Sequence, residues 1–183
     1  MYLVAKISQE KEENIIGRIG GNIPEYFLNK KDDIRGYNFY ASFQNPQNPK
    51  EYITIFIPKS YDIMIDCNIY PNCSIKVFTH SISKESDNVE YTINYIKKSN
   101  IIGYTSSIEP QYITVSEHPI LIQEEDFYTN ELKKDNYIFF MQIDEDYYPQ
   151  NLINGNYIFG YGALYLYKNI DNNKIIAGFW QNS

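Results

Sequence analysis

YIFFMQIDEDYYPQNLINGNYIFGYGALYLYKNIDNNKIIAGFW, residues 137–180, carries the reading of the fold. An aromatic and branched run from Tyr137 ends at Gln142-Ile143-Asp144, the composition of a strand packed against neighbours. A polar crossing then leads to Phe159-Gly160-Tyr161-Gly162, where glycines allow a sharp turn. The turn opens onto a second apolar strand, and Asn172-Asn173 marks a hairpin between Ala163–Lys168 and Lys174–Trp180. Strand, crossing, Gly-x-Gly turn and hairpin make one antiparallel unit.

Working outward, Tyr37 to Phe43 and Tyr52 to Pro58 are aromatic and β-branched runs separated by an Asn- and Pro-rich loop, Gln44 to Pro49. Ser74 to His80 is another strand, entered from the turn Tyr70-Pro71-Asn72. Val89, Tyr91, Ile93 and Tyr95 alternate with more polar neighbours, so Asn88 to Lys97 is expected to be a strand with one wet face. Tyr112 to Val115 is a shorter strand, and Met1 to Ile7 fits either a strand or the start of a helix. Gln123 to Asp135 is the best helix, with Glu124 and Glu125 early and Lys133 and Lys134 late, as the helix dipole favours. Ile16 to Tyr26 is rich in turn residues. Its Gly20-Gly21 lacks the spacing and the Lys-Ser/Thr of a phosphate loop, and Pro24 blocks a following helix.

These elements predict a mainly β protein, antiparallel with few short helices. The halves also echo each other. FYASFQNP leads to PNCSIKVFTH in the first, and IFFMQIDED leads to FGYGALYLYKN in the second, each with a Gln near the end of an aromatic strand. An internal duplication would pack two related β units about a pseudo-twofold. No Gly/Ser/Pro linker divides them, so one domain over residues 1–183 is expected.

The 19 tyrosines and 10 phenylalanines fit sheets, although an AT-rich coding sequence would also raise Tyr, Ile, Asn and Lys together. A net charge of −7 with no basic stripe, the pairs Lys30-Lys31, Lys97-Lys98 and Lys133-Lys134 being isolated, argues against a phosphate-backbone binder and for a basic protein as partner. Cys67 and Cys73, the only cysteines, have no zinc spacing and are expected to be reduced thiols; neither metal nor cofactor is expected. The N-terminal apolar run is too short for a signal peptide, and no stretch approaches the ~20 apolar residues of a bilayer span, so no membrane role and a cytoplasmic location are expected.

Asp144-Glu145-Asp146 is the first place to look for acid/base chemistry, since paired carboxylates divide roles when their environments differ. Strand alternation lets Asp144 and Asp146 share a side while Glu145 faces away. A calcium loop is excluded, because Tyr147-Tyr148-Pro149 supplies no regular oxygen ligands. No Cys-His signature, nucleophile elbow or dinucleotide fingerprint accompanies the acids, so no catalytic set is assigned. Tyr147, Tyr148, Tyr157 and Tyr161 cluster around the crossing and the turn, and tyrosine gives large contact area at low entropic cost. Asp144, Glu145, Asp146 and these four tyrosines are the candidate partner-binding residues.

The chain resembles the YwqG-like family, a bacterial group that also looks related to the eukaryotic programmed-cell-death-two proteins. The resemblance runs through Ile19-Gly20-Gly21 with Pro24, Phe43-Gln44, Pro71, Ile75-Lys76-Val77-Phe78 and Phe140-Met141-Gln142-Ile143-Asp144. It continues through Gly160 and Gly162 before an apolar strand to a late Trp180. It implies a predominantly β fold with a few short helices. Trp180 is followed by Gln181-Asn182-Ser183 where the family tends to show cysteine or histidine, so a metal or thiol role would lack its ligands here. The expected function is a non-enzymatic protein-binding domain, immunity- or antitoxin-like or chaperone-like toward a basic partner. The alternatives are an RNA-processing or other hydrolytic enzyme using Asp144 or Asp146, and a small-ligand binder using the tyrosines.

Overall fold

Period-2 alternation of branched and aromatic residues builds nearly all of this fold. The structure, a computed structural model, describes residues 1–183. The first half supplies β1 (Tyr2–Ser8), β2 (Gly17–Ile19), β3 (Tyr37–Asn45), β4 (Asn48–Pro58) and β5 (Lys76–Ser81). The second supplies β6 (Ser99–Ser107), β7 (Ile113–Val115), β8 (Tyr137–Asp144), β9 (Ala163–Asn169) and β10 (Ile175–Gln181). All lie in one ten-stranded antiparallel sheet of order β10-β9-β8-β7-β1-β6-β2-β3-β4-β5. Helices are confined to α1 (Tyr61–Asp66), α2 (Asn130–Lys134) and three single 3-10 turns.

The sheet curls until its two end strands, β5 and β10, come into contact. The free edge of β10 is covered by residues 68–70: the Tyr70 amide donates to Gly178 O (2.7 Å) and the Trp180 amide to Asn68 O (3.1 Å). One face of the curl encloses the main core, where Ala41 and Phe43, Ile53 and Ile55, Met141 and Ile143, and Leu164 and Leu166 recur at every second position. Trp180 belongs to this core and donates its indole N–H to Met64 O (3.0 Å), which fixes α1 against it.

The strand order is unchanged when each of the first five strands is exchanged for its counterpart five later. β1 lies against β7 of the second half, and β6 against β2 of the first. Register repeats as well: Arg18, Ser42 and Thr54 are aligned across β2–β4 as Thr114, Gln142 and Tyr165 are across β7–β9. Both β3 and β8 break register at the same place, between Phe39 and Ala41 and between Phe139 and Met141. By this register Gln44 corresponds to Asp144, so the glutamine echo in the sequence is two residues out of step with the structural one.

The outer face carries two buried polar rows in equivalent places, each roofed by the segment that follows the short second strand of its half. In the first, Ser42 Oγ, Thr54 Oγ1 and His80 Nε2 form a chain (2.7 and 2.6 Å), Arg18 donates to Asn22 O (2.5 Å), and Tyr26 stacks on His80. In the second, Gln142 Oε1 accepts from the Ile120 amide (2.8 Å), and Tyr165 Oη donates to Ile120 O (2.9 Å). Gln181 Oε1 accepts from the Ile122 and Gln123 amides (3.0 and 3.2 Å), while its NH2 returns a bond to Gln123 O (2.9 Å). Beside each row sits a small apolar cluster, Phe27, Phe39 and Phe56 in the first and Tyr128, Tyr167 and Phe179 in the second.

The mainly β class and the hairpin at Asn172-Asn173 are as expected, and Met1–Ile7 resolves into a strand. Asn88 to Lys97 is not a strand. It turns twice, with Thr92 N–H donating to Val89 O and Ile96 N–H to Ile93 O (3.1 and 3.2 Å). Of its alternating residues Tyr91 and Ile93 pack down, joined by Ile96 out of phase, while Val89 and Tyr95 are exposed. The Gln123–Asp135 helix shrinks to a 3-10 turn at Asp126–Tyr128 followed by α2, and its first residue, Gln123, is tied into the roof of the second polar row. The Gln44–Pro49 loop is shorter than expected, since β3 runs to Asn45 and β4 starts at Asn48.

Gln181→Leu removes the partners of two amides and one carbonyl of the roof segment while keeping side-chain bulk. It is expected to destabilise the fold by about 2–4 kcal/mol, read as a lower urea midpoint with an unchanged slope.

Candidate functional site

The alternation that buries Met141 and Ile143 continues past the end of β8 to Glu145, which is 2% exposed. Asp144, one residue earlier, caps the 3-10 turn Glu145–Tyr147: its Oδ1 accepts from the Asp146 amide (3.0 Å) and its Oδ2 from the Gln142 side chain (3.3 Å). Glu145 is clamped more fully. Its Oε1 accepts from the Phe159 amide (2.8 Å) and Tyr148 Oη (3.0 Å), and its Oε2 from the Tyr161 and Gly162 amides (3.0 and 3.4 Å). The Glu145 amide in turn donates to Gly162 O (2.9 Å).

The carboxylate therefore organises the Gly-x-Gly turn. Gly160 and Tyr161 both have positive φ, 61° and 62°. For a bulky residue such as Tyr161 that conformation is strained and persists only where its surroundings impose it. Gly162 is fixed by space, because a Cβ there would lie 1.7 Å from Gln181 O.

Behind Glu145 the hydrogen bonds continue into the core. Tyr148 Oη lies 3.2 Å from Tyr40 Oη, which touches Tyr112 Oη, so hydroxyls from β3, from the start of β7 and from the crossing converge on one carboxylate. Burial pushes the Glu145 carboxyl up from 4.5 to about 7, even though the bonds from Phe159, Tyr148 and Gly162 pull the other way. Burial also raises the Asp144 carboxyl and the Tyr40, Tyr112 and Tyr148 phenols.

On the solvent side the turn presents aromatic rings. Tyr157 and Tyr161 stack with centroids 4.0 Å apart and planes at 29°, and Tyr148 packs against Tyr157 at 5.4 Å. Tyr157 and Tyr161 form one wall of a cleft of about 440 Å³ whose other tyrosines are Tyr61 and Tyr95, with Asn38, Lys59 and Asn156 as its polar positions. Two glycines permit the close approach. Tyr61 Oη lies 3.6 Å from where a Gly160 Cβ would stand, and the Tyr95 ring 3.4 Å from that of Gly155.

Of the seven candidate residues, Tyr157 and Tyr161 line this cleft, and Glu145 and Tyr148 support it from within. Asp144 is internal; Asp146 and Tyr147 are exposed on the turn outside the cleft. None of the five principal clefts is lined by Asp144, Glu145, Asp146 or Tyr147. Sequence reading missed Tyr40, Tyr61, Tyr95 and Tyr112, which closure of the sheet brings to the site from distant positions and which carry no local signal. Glu145 did carry one, the unbroken alternation from Met141. Cys67 and Cys73 are both half-buried free thiols, and burial pushes Cys73 up to about 12. No three His, Cys, Asp or Glu side chains converge where a metal ion could sit. No helix is long and apolar enough to cross a membrane.

The raised Glu145 group fixes the sign of a pH dependence. The unfolded chain releases this proton near pH 4.5 and the folded state near 7. The stability it contributes is thus fully present below the lower value and lost as pH rises through the upper one, a swing of about 3 kcal/mol. Glu145→Gln keeps a neutral group throughout. The unfolding free energy of the native protein minus that of the variant is expected to fall by this amount between about pH 4.5 and 8, with Asp144 cancelling. A pH-independent difference would show Glu145 to be ionised throughout.

The chain matches no protein-family model, and no curated protein matches it.

Proposed function

We propose that this chain is a non-enzymatic protein-binding domain, chaperone-like or immunity-like toward a basic partner, and that the tyrosine cleft is its contact surface. The strained turn carries this reading. Tyr161 is held in a left-handed conformation by a buried carboxylate, yet the residue is 56% exposed and lies outside the core clusters. Strain and a buried acid are both unfavourable, and together they hold the Tyr157–Tyr161 pair rigidly at the surface. Rigid exposed aromatic rings are what a recognition surface needs.

The net charge of −7 supports a basic partner through the field of the whole molecule. The cleft itself has no carboxylate lining, so charge steers the encounter and the tyrosines hold the contact. The resemblance to the YwqG-like family belongs to the same proposal. Its eukaryotic relatives favour the chaperone-like form by analogy.

Tyr161→Gly separates contact from stability. Relief of left-handed strain, about 1 kcal/mol, offsets the lost stacking of about 0.5–1.5 kcal/mol, so the melting temperature is expected to stay within a few degrees. The immobilised native protein is expected to retain a partner from extract of its own cells at low salt, to lose it as salt rises, and to lose it with Tyr161→Gly. Equal retention by the variant would remove the cleft from the reading, and salt-independent retention would remove the basic partner.

A further inference from the structure

The hydroxyls of tyrosines that bond within the protein belong to Tyr40, Tyr70, Tyr104, Tyr112, Tyr128, Tyr148 and Tyr165. Those of Tyr61, Tyr95, Tyr157 and Tyr161 are left for an occupant, together with the amides of Asn38 and Asn156 and the Lys59 ammonium, whose one aromatic neighbour is the Tyr91 ring at 5.7 Å. Lys59 can only donate, and no carboxylate, the side chain that only accepts, lines the cleft. The lining thus combines apolar ring faces with hydroxyls and amides that donate and accept, and Lys59 tips the balance toward donors. Its complement is a ligand with flat or puckered apolar rings, many acceptors and few donors.

We infer that the cleft takes a proline-rich segment of the partner in the polyproline II conformation, an inference that rests on the cleft being the contact surface. Proline has a carbonyl and no N–H. In polyproline II no internal hydrogen bond uses the carbonyls, so each is available to a tyrosine hydroxyl or an asparagine amide. Pyrrolidine rings pack against tyrosine faces, and the stiff conformation lowers the entropy lost on binding. Other ring-bearing ligands fit less well. A sugar presents a donor on every hydroxyl, for which the side chains of the lining offer only the tyrosine and asparagine oxygens. A nucleobase could not be sandwiched between Tyr157 and Tyr161, which are already closed on each other at 4.0 Å. The volume of about 440 Å³ falls among those of small recognition sites.

The test is calorimetric titration of the full chain with two synthetic peptides carrying the same two arginines, one with a run of prolines and one of equal length with glycine and serine. The proline peptide is expected to bind at least about tenfold more tightly, and Tyr157→Ala and Tyr161→Gly are each expected to weaken it by about tenfold. Equal affinity for the two peptides would overturn the inference, as would displacement of the proline peptide by adenosine or by a soluble oligosaccharide. If the peptide fails to bind while Tyr161→Gly still loses the natural partner, the proline-rich occupant alone falls. If both tests fail, the contact surface falls with it.

Discussion

One buried carboxylate joins the core of this protein to its surface. Glu145 receives amides from the turn that starts β9 and a phenol that leads through Tyr40 and Tyr112 to the centre of the sheet. A lone ionised carboxylate in such a place would be very costly, and its donors offset that cost only in part. The balance raises the carboxyl to about 7, with directional bonds on both oxygens. That directionality is what an apolar side chain of similar volume could not supply, since the Tyr161 conformation needs something to pull its amide inward.

The sheet around this clamp is built by exchange. Each half places its first strand beside the second strand of the other, so neither half has a complete set of neighbours alone. The equivalent polar rows show how far two segments can diverge while the architecture stays fixed. Arg18, Ser42, Thr54 and His80 stand where Thr114, Gln142, Tyr165 and Gln181 stand in the other half. What is kept is the geometry of a buried hydrogen-bonding row under a roof, whereas the groups that fill it range from charged to neutral.

The strands that were legible in the sequence are β3, β4, β5, the short β7, β8 and the β9–β10 hairpin. Two strands escaped for physical reasons. β2 is only three residues long, and β6, SNIIGYTSS, mixes glycine and serine into a strand that owes its place to pairing on both sides. The reverse error at Asn88 to Lys97 arose because a covering segment can bury two alternate side chains, Tyr91 and Ile93, without becoming a strand of the sheet. At the site, glycines around Tyr161 were readable as a turn and the tyrosines as surface rings. The acidic triplet misled, because a cluster of charges reads as exposed although Glu145 lies in phase with the core positions of β8. Tyr61 and Tyr95 were beyond reach, since only closure of the sheet sets them opposite Tyr157.

The exchange of first strands also bears on how the chain acquires its shape during synthesis. β1 is made first, yet both its neighbours, β6 and β7, lie roughly a hundred residues later. Until they emerge from the ribosome, β1 has two open edges and an apolar face without cover, so pairing waits on distant sequence and closes large loops at once. The first half can assemble β2 to β5 early, but the centre of the sheet forms only when the second half arrives. Nascent β1 is therefore the segment of this protein most in need of protection while translation is under way.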